Sequence, residues 1–194
     1  MKIKTIFTLK SKGLYLSFGM FLLTFIPIAK SQSLPYNEKG RIEYSDVVYL
    51  DSTFTKDQIY SVAREWFALR FKNSNYVIQM DDENHGKIIG KGVFEGFLRH
   101  FDPPTYYIEF TISLYIKESR YKYVITDFSH TSALSQFDGG ALEAAKPNNG
   151  GFFGINDKSW TDIKMKTNEY VINTINDLNH FIKENSIKSE DAEW

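Results

Sequence analysis

The sequence predicts a two-layer α+β domain: an antiparallel five-stranded sheet covered by two helices, in the order β-α-β-β-β-β-α. Three observations predict it. The two longest strand patterns, Thr105–Lys117 and Arg120–Phe128, are separated only by Glu118-Ser119 and segregate apolar from polar residues in a single hairpin register. Two amphipathic helical patterns flank the strand-rich middle of the chain. Aromatic residues reach 16%, with 16 Phe and 12 Tyr, and such side chains favour sheets and bury large areas.

The elements follow in order. Residues 32–40 form an extended lead-in. Arg41–Leu50 places Ile42, Tyr44, Val48 and Leu50 on alternate positions, the period of a strand. Thr55-Lys56-Asp57-Gln58 fits a capping box, and Ile59, Val62, Ala63, Trp66 and Phe67 then recur at helical spacing to about Phe71. Tyr76, Ile78 and Met80 alternate in a second strand. The polar turn Asp81–Gly86 leads into a third strand, Lys87–Phe97. In the hairpin that follows, Lys117 faces Arg120. Phe110, Ile112, Leu114 and Ile116 then share a face with Tyr121, Tyr123 and Ile125. Residues 130–158 carry no period and are rich in Gly, Asn and Ser, which predicts a long loop. Ser159-Trp160-Thr161-Asp162 opens the final helix, with Ile163, Val171, Ile175, Leu178 and Ile182 as its buried stripe. The domain thus spans 41–185, followed by an acidic tail, 186–194.

The first 31 residues predict the compartment. Lys2, Lys4, Lys10 and Lys12 precede the apolar run Leu14–Ala29, and Ala29-Lys30-Ser31 offers small residues where a signal peptidase reads. The run is shorter than the ~20 residues of a spanning helix and holds Pro27 near its end. The expectation is a signal peptide over 1–31 cleaved near Ser31. The protein would then be periplasmic or secreted and no longer membrane-spanning. With no cysteine, the chain offers no acceptor for an N-terminal lipid anchor, no disulfide and no thiolate site. Removing 1–31 takes Lys plus Arg from 23 to 18 against 24 Asp plus Glu, so net charge moves from −1 to −6. An acidic domain is a poor ligand for polyanions, and no nucleic-acid partner is expected.

Candidate chemistry is sparse. Gly90, Gly92 and Gly96 lie inside a strand with no helix after them, unlike a phosphate loop. They fit a close helix approach or a strand bend. Asp127, Ser129 and His130 supply triad residue types, yet Ser129 and His130 point to opposite faces of an extended strand, and no nucleophile elbow exists. The hairpin register sets Asp127 on the apolar face opposite Phe110, where a carboxylate needs a partner. The acidic turn 81–85 does not match a calcium loop, and the four histidines lack helical pairing, so no metal or other cofactor is expected. Phe137, Phe152 and Phe153 in the long loop can anchor a partner or fold back onto the sheet, as can Trp160 and the loop from Arg99 to Pro104.

Four segments then carry a resemblance: LPYNEKGRIEYSDVV, TKDQIYSVAREWFALRF, VIQMDDENHGKIIGKG and RYKYVITDFS, together covering most of Leu34–Ser129. They resemble an exported Bacteroidetes family known as domain of unknown function 4468, with a TATA-binding-protein-like fold. The resemblance implies architecture and no reaction, so it carries over no residue role. The expected function is a non-enzymatic binding or interaction module for an envelope protein or a small ligand. Its surface would be the open sheet face (Thr111, Ser113, Tyr115, Val124, Thr126) or Phe152 and Phe153. The alternative is a small hydrolase using Asp127 with His130 or loop residues.

Overall fold

A computed structural model of the protein describes residues 33–71, 78–97, 105–134, 137–149 and 154–188, the last helix with side chains to 185. Residues 1–31, Tyr76, the 99–104 loop, Phe152, Phe153 and residues 189–194 lie outside the described residues. Chain contacts divide the molecule into Met1–Ser31 and Gln32–Trp194, and everything below belongs to the second unit.

The chain runs β1 (Tyr44–Tyr49), α1 (Lys56–Arg70), β2 (Ile78–Asp82), β3 (Lys87–Phe97), β4 (Thr105–Lys117), β5 (Arg120–Ser132), β6 (Gly140–Ala141) and α2 (Asp157–Lys188). The sheet is antiparallel throughout, in the order β1-β5-β4-β3-β2, with β6 beside β5. Among the described residues six strands therefore replace the five expected. The extra one arises because the predicted loop 130–158 is partly regular: β5 continues to Ser132, β6 pairs Ala141 with Ser129 and Gly140 with His130, and α2 begins at Asp157. Two residues are too few to show a period, so pairing alone creates β6. Residues 33–40 turn back on themselves. Asn37 Oδ1 accepts from the amides of Lys39 and Arg41, Gly40 adopts φ +72°, and Tyr36 bridges to Ile42.

Helix α1 starts where its capping box lies. Thr55 accepts from the Gln58 amide at 3.2 Å, and Gln58 Oε1 accepts from the Thr55 amide at 2.9 Å. Ile59, Tyr60, Val62, Ala63, Trp66 and Phe67 form its buried face. At the start of α2, the Asn156 side chain accepts from the Ser159 amide at 2.8 Å. Ile163, Val171, Leu178 and Ile182 are fully buried, while Ile175 is partly buried.

Both helices cover the same sheet face. Phe71 lies edge-on to Phe110, and Tyr170 stacks on Phe94 with ring centroids 4.2 Å apart. Polar ties pin α2 across the core: Tyr44 Oη donates to Asn168 at 2.7 Å and Tyr121 Oη to Asn179 at 2.6 Å. The helices are joined by Asp177, which accepts from Arg70 at 2.6 and 2.7 Å and from Trp66 Nε1 at 2.7 Å.

Gly92 and Gly96, two of the three strand glycines, make room for rings rather than for a helix. A Cβ at Gly92 would lie 2.2 Å from the Phe110 ring, and one at Gly96 would lie 2.0 Å from that of Tyr106. Each glycine is the direct cross-strand partner of the aromatic that covers it. The missing side chains make room for rings from the neighbouring strand rather than for a helix.

Candidate binding face

The hairpin register holds from Lys117↔Arg120 to Thr111↔Thr126 and then shifts by one, so that Glu109 pairs with Ser129. The extra residue lies at Asp127, whose φ of +61° marks a β-bulge at a non-glycine position. Before the bulge, β5 buries its odd residues Tyr121, Tyr123 and Ile125; after it, the even residues Phe128 and His130. Phe128 thus takes the core place opposite Phe110, with ring centroids 5.9 Å apart. Asp127 is turned out to solvent, where it pairs with Arg41. Its expected position on the apolar face is therefore corrected. An inserted residue inverts the parity of everything beyond it.

The two triad-type residues consequently do not meet. His130 is 2% exposed, stacked on Tyr106 and edge-on to Trp160. Its Nδ1 accepts from the Gly139 amide at 3.0 Å, so Nε2 carries the proton of the neutral ring. Burial holds its pKa below the ordinary histidine value. Tyr106 is likewise pushed up to about 12 by burial. Neither His130 Nε2 nor Tyr106 Oη has a hydrogen-bond partner among the described residues. The surrounding loop is held rather than open. Trp160 Nε1 and Lys164 Nζ both donate to the Ala144 carbonyl, at 3.0 and 2.8 Å, and the Ile42 amide donates to Glu143 at 3.0 Å. Trp160 is core, at 2% exposure, and Phe137 is partly buried.

The acidic turn closes on itself. His85 donates its amide to Asp82 at 3.1 Å and sets its Nδ1 2.8 Å from the same carboxylate, while Asp81 accepts from Tyr60 and pairs with Arg64. Among the described residues no group of three or more His, Cys, Asp or Glu could hold a metal ion. None of their helices is long and apolar enough to cross a membrane.

The sheet face away from the helices gathers the five residues expected there. Thr111 pairs with Thr126, Ser113 with Val124, and Tyr115 with Lys122. Ser113 is sunk between Ile89 and Val124 and is only 8% exposed, whereas Tyr115 stands proud. Strand pairing adds neighbours that hairpin patterning could not supply. One row across the sheet runs Val47, Lys122, Tyr115, Lys87, and the next runs Tyr49, Arg120, Lys117. Lys87 Nζ lies 5.5 Å from the Tyr115 ring centroid. Val47, Tyr49, Tyr115, Lys117, Arg120 and Lys122 line a shallow hollow of about 420 Å³. Lys117, Arg120 and Lys122 were legible as polar-face residues of the hairpin. Tyr49 and Lys87 reach the site through pairings with distant segments.

No curated protein matches the chain. Solved structures share its fold, two of them as follows. A TBP-like protein from Parabacteroides distasonis aligns with a TM-score of 0.60 at 17% identity, covering 78% of this chain and 97% of that one. A DUF4468 family protein from Bacteroides ovatus aligns with a TM-score of 0.60 at 15% identity, covering 78% and 91%. Residues 44–131, which span β1 to the end of the regular sheet, match the family described as a domain of unknown function (DUF4468) with TBP-like fold. The β-α-β-β-β-β core therefore has a TBP-like fold, and residues 44–131 are similar to the DUF4468 family.

Proposed function

We propose that the protein is a non-enzymatic binding or interaction module working outside the cytoplasm, with the helix-free sheet face as its binding surface. One observation carries this reading. Val47, Tyr49, Met80, Val93 and Tyr115, between 37% and 73% exposed, all stand on a face that neither helix covers. Exposed apolar side chains scattered singly are ordinary; five on one uncovered face mark an interaction surface. The basic start, apolar run and small-residue end of residues 1–31 support the extracytoplasmic setting. A hydrolase built on Asp127 and His130 would need both side chains at one reacting atom, and the bulge sends one to solvent while the other is buried.

The test is capture from envelope extract by wild type, by a Tyr49→Glu/Tyr115→Glu variant and by Met165→Glu, a change at an exposed site on α2. The expected result is a partner retained by wild type and Met165→Glu and lost by the sheet-face variant. A partner lost only with Met165→Glu, or no ligand that depends on the sheet face, refutes the reading.

A further inference from the structure

The helix-free face is electrically lopsided. Lys117 and Arg120 are directly opposed across the hairpin, and Lys122 and Lys87 flank Tyr115 on either side. Like charges facing each other across strands are destabilising, so the fold carries a cost at this end of the sheet. Among the described residues no carboxylate forms an ion pair with any of these four cations. Two acids lie near enough to attract them: Asp82 is the cross-strand partner of Lys87, and Glu43 feels the charge of Lys122. Both carboxylates are shared with other donors, Asp82 with His85 and Glu43 with Asn37 at 2.8 Å, and Glu118 accepts from the Lys56 amide at 3.0 Å. Glu95 and Glu109 stand on the same face, but Glu109 is eight residues along β4 from Lys117. At about 3.3 Å per residue that is roughly 26 Å, well beyond a Debye length of ~8–10 Å in physiological salt.

The apolar residues among the cations give the patch its second property. Tyr49 is 73% exposed and Val47 borders the same hollow. One face of the Tyr115 ring already carries Lys87, so the phenol offers its polar edge rather than a stacking platform. Lysine stems lie along apolar surface while their ammonium groups reach outward. Tyrosine, apolar below and hydroxylated at the tip, suits the boundary between headgroups and acyl chains.

We propose that this end of the sheet face, built on Tyr49, Tyr115, Lys87, Lys117, Arg120 and Lys122, docks on an anionic phospholipid headgroup layer. The proposal rests on the binding-face reading above and names its occupant. The cations neutralise lipid phosphates, which relieves the Lys117–Arg120 repulsion, and Tyr49 with Val47 reaches the headgroup boundary. A chain of formal charge −6 without residues 1–31 thereby presents one locally positive surface to a negative one.

Co-sedimentation with vesicles of phosphatidylglycerol and phosphatidylcholine, against pure phosphatidylcholine, tests it. The chain from Gln32 onward, without the basic and apolar residues 1–31, should bind the anionic vesicles, lose them as salt rises from about 0.05 M to about 0.5 M, and ignore the neutral ones. Lys117→Gln/Lys122→Gln should weaken binding about 25-fold, at roughly fivefold per cation. Lys146→Gln/Lys158→Gln, which changes net charge equally at exposed sites off this face, should leave it unchanged. Equal loss in both variants, no preference for anionic vesicles, or full competition by free inorganic phosphate overturns the proposal. If vesicle binding fails while capture of an envelope partner still depends on Tyr49 and Tyr115, the binding face stands with a different occupant. If both fail, the binding-face reading falls too.

Discussion

Adding one methyl group at Gly92 forces a choice on the core. The new Cβ would lie 2.2, 2.5 and 2.8 Å from three atoms of the Phe110 ring, where carbon atoms ordinarily rest about 3.5–4.0 Å apart. The ring must therefore retreat by about 1.5 Å. It is 2% exposed and hemmed in by Phe71, Phe128 and Tyr170, with centroids 6.5, 5.9 and 6.2 Å away, so no free volume receives it. Overpacking of this kind costs about 1–3 kcal/mol, offset by about 0.4–1 kcal/mol from the stiffer unfolded chain. Gly92→Ala should thus destabilise by about 1 kcal/mol, or lower Tm by ~2–4 °C for a domain of this size. Phe110→Ala alone should cost about 3–5 kcal/mol through the cavity it leaves. In the double variant the methyl added at position 92 enters that cavity, so the combined loss should fall short of the sum by about 2 kcal/mol. Urea unfolding followed by fluorescence of the buried Trp66 and Trp160 reads all three variants. Additivity within about 0.5 kcal/mol would refute the claim that Gly92 exists to seat the Phe110 ring.

Three further outcomes follow from single contacts. Thr55→Ala removes the hydroxyl half of the α1 capping box and should cost about 1 kcal/mol in chemical unfolding; an unchanged midpoint would sink the assignment. Asp177→Ala leaves the buried Trp66 indole N–H without its acceptor and should cost about 1–3 kcal/mol. Asp177→Asn keeps an oxygen there and should cost clearly less, so equal losses would show that the indole bond contributes nothing. His130 takes up its proton less readily folded than unfolded, because burial lowers its pKa from 6.5. Between the lowered value and 6.5 the unfolded chain binds more protons, so stability rises with pH through that window and falls on acidification. His130→Gln can still accept from Gly139 but does not titrate. Its Tm should therefore fall less than wild type's between about pH 7 and about pH 5, whereas parallel curves would contradict the buried-neutral assignment.

Much of the fold was written locally. The capping box at Thr55 and Gln58 involves residues three apart, and the Glu118-Ser119 hairpin aligns strands whose first pairs are three residues apart. Signals of that range survive in a one-dimensional reading because the chain can hardly avoid making those contacts. The strand limits of β3 and β4 and the placing of Thr111, Ser113, Tyr115, Val124 and Thr126 on one face follow from the same alternation.

The tertiary structure decided what alternation cannot carry. The Asp127 bulge is a single backbone torsion at a residue that gives no glycine signal, yet it moves the carboxylate outward and sends Phe128 and His130 into the core. Strand β6 exists only through its pairing with β5. The cation and tyrosine patch unites β1, β5, β4 and β3, bringing Tyr49 beside Arg120 and Lys87 beside Tyr115 from far along the chain. By itself, the sequence determined the two-layer class, the hairpin and the α1 cap, because short-range sterics and hydrogen bonds enforce them. Which side chains stand together on the helix-free face was left to the packing of strands, since only a closed core selects one register among distant segments.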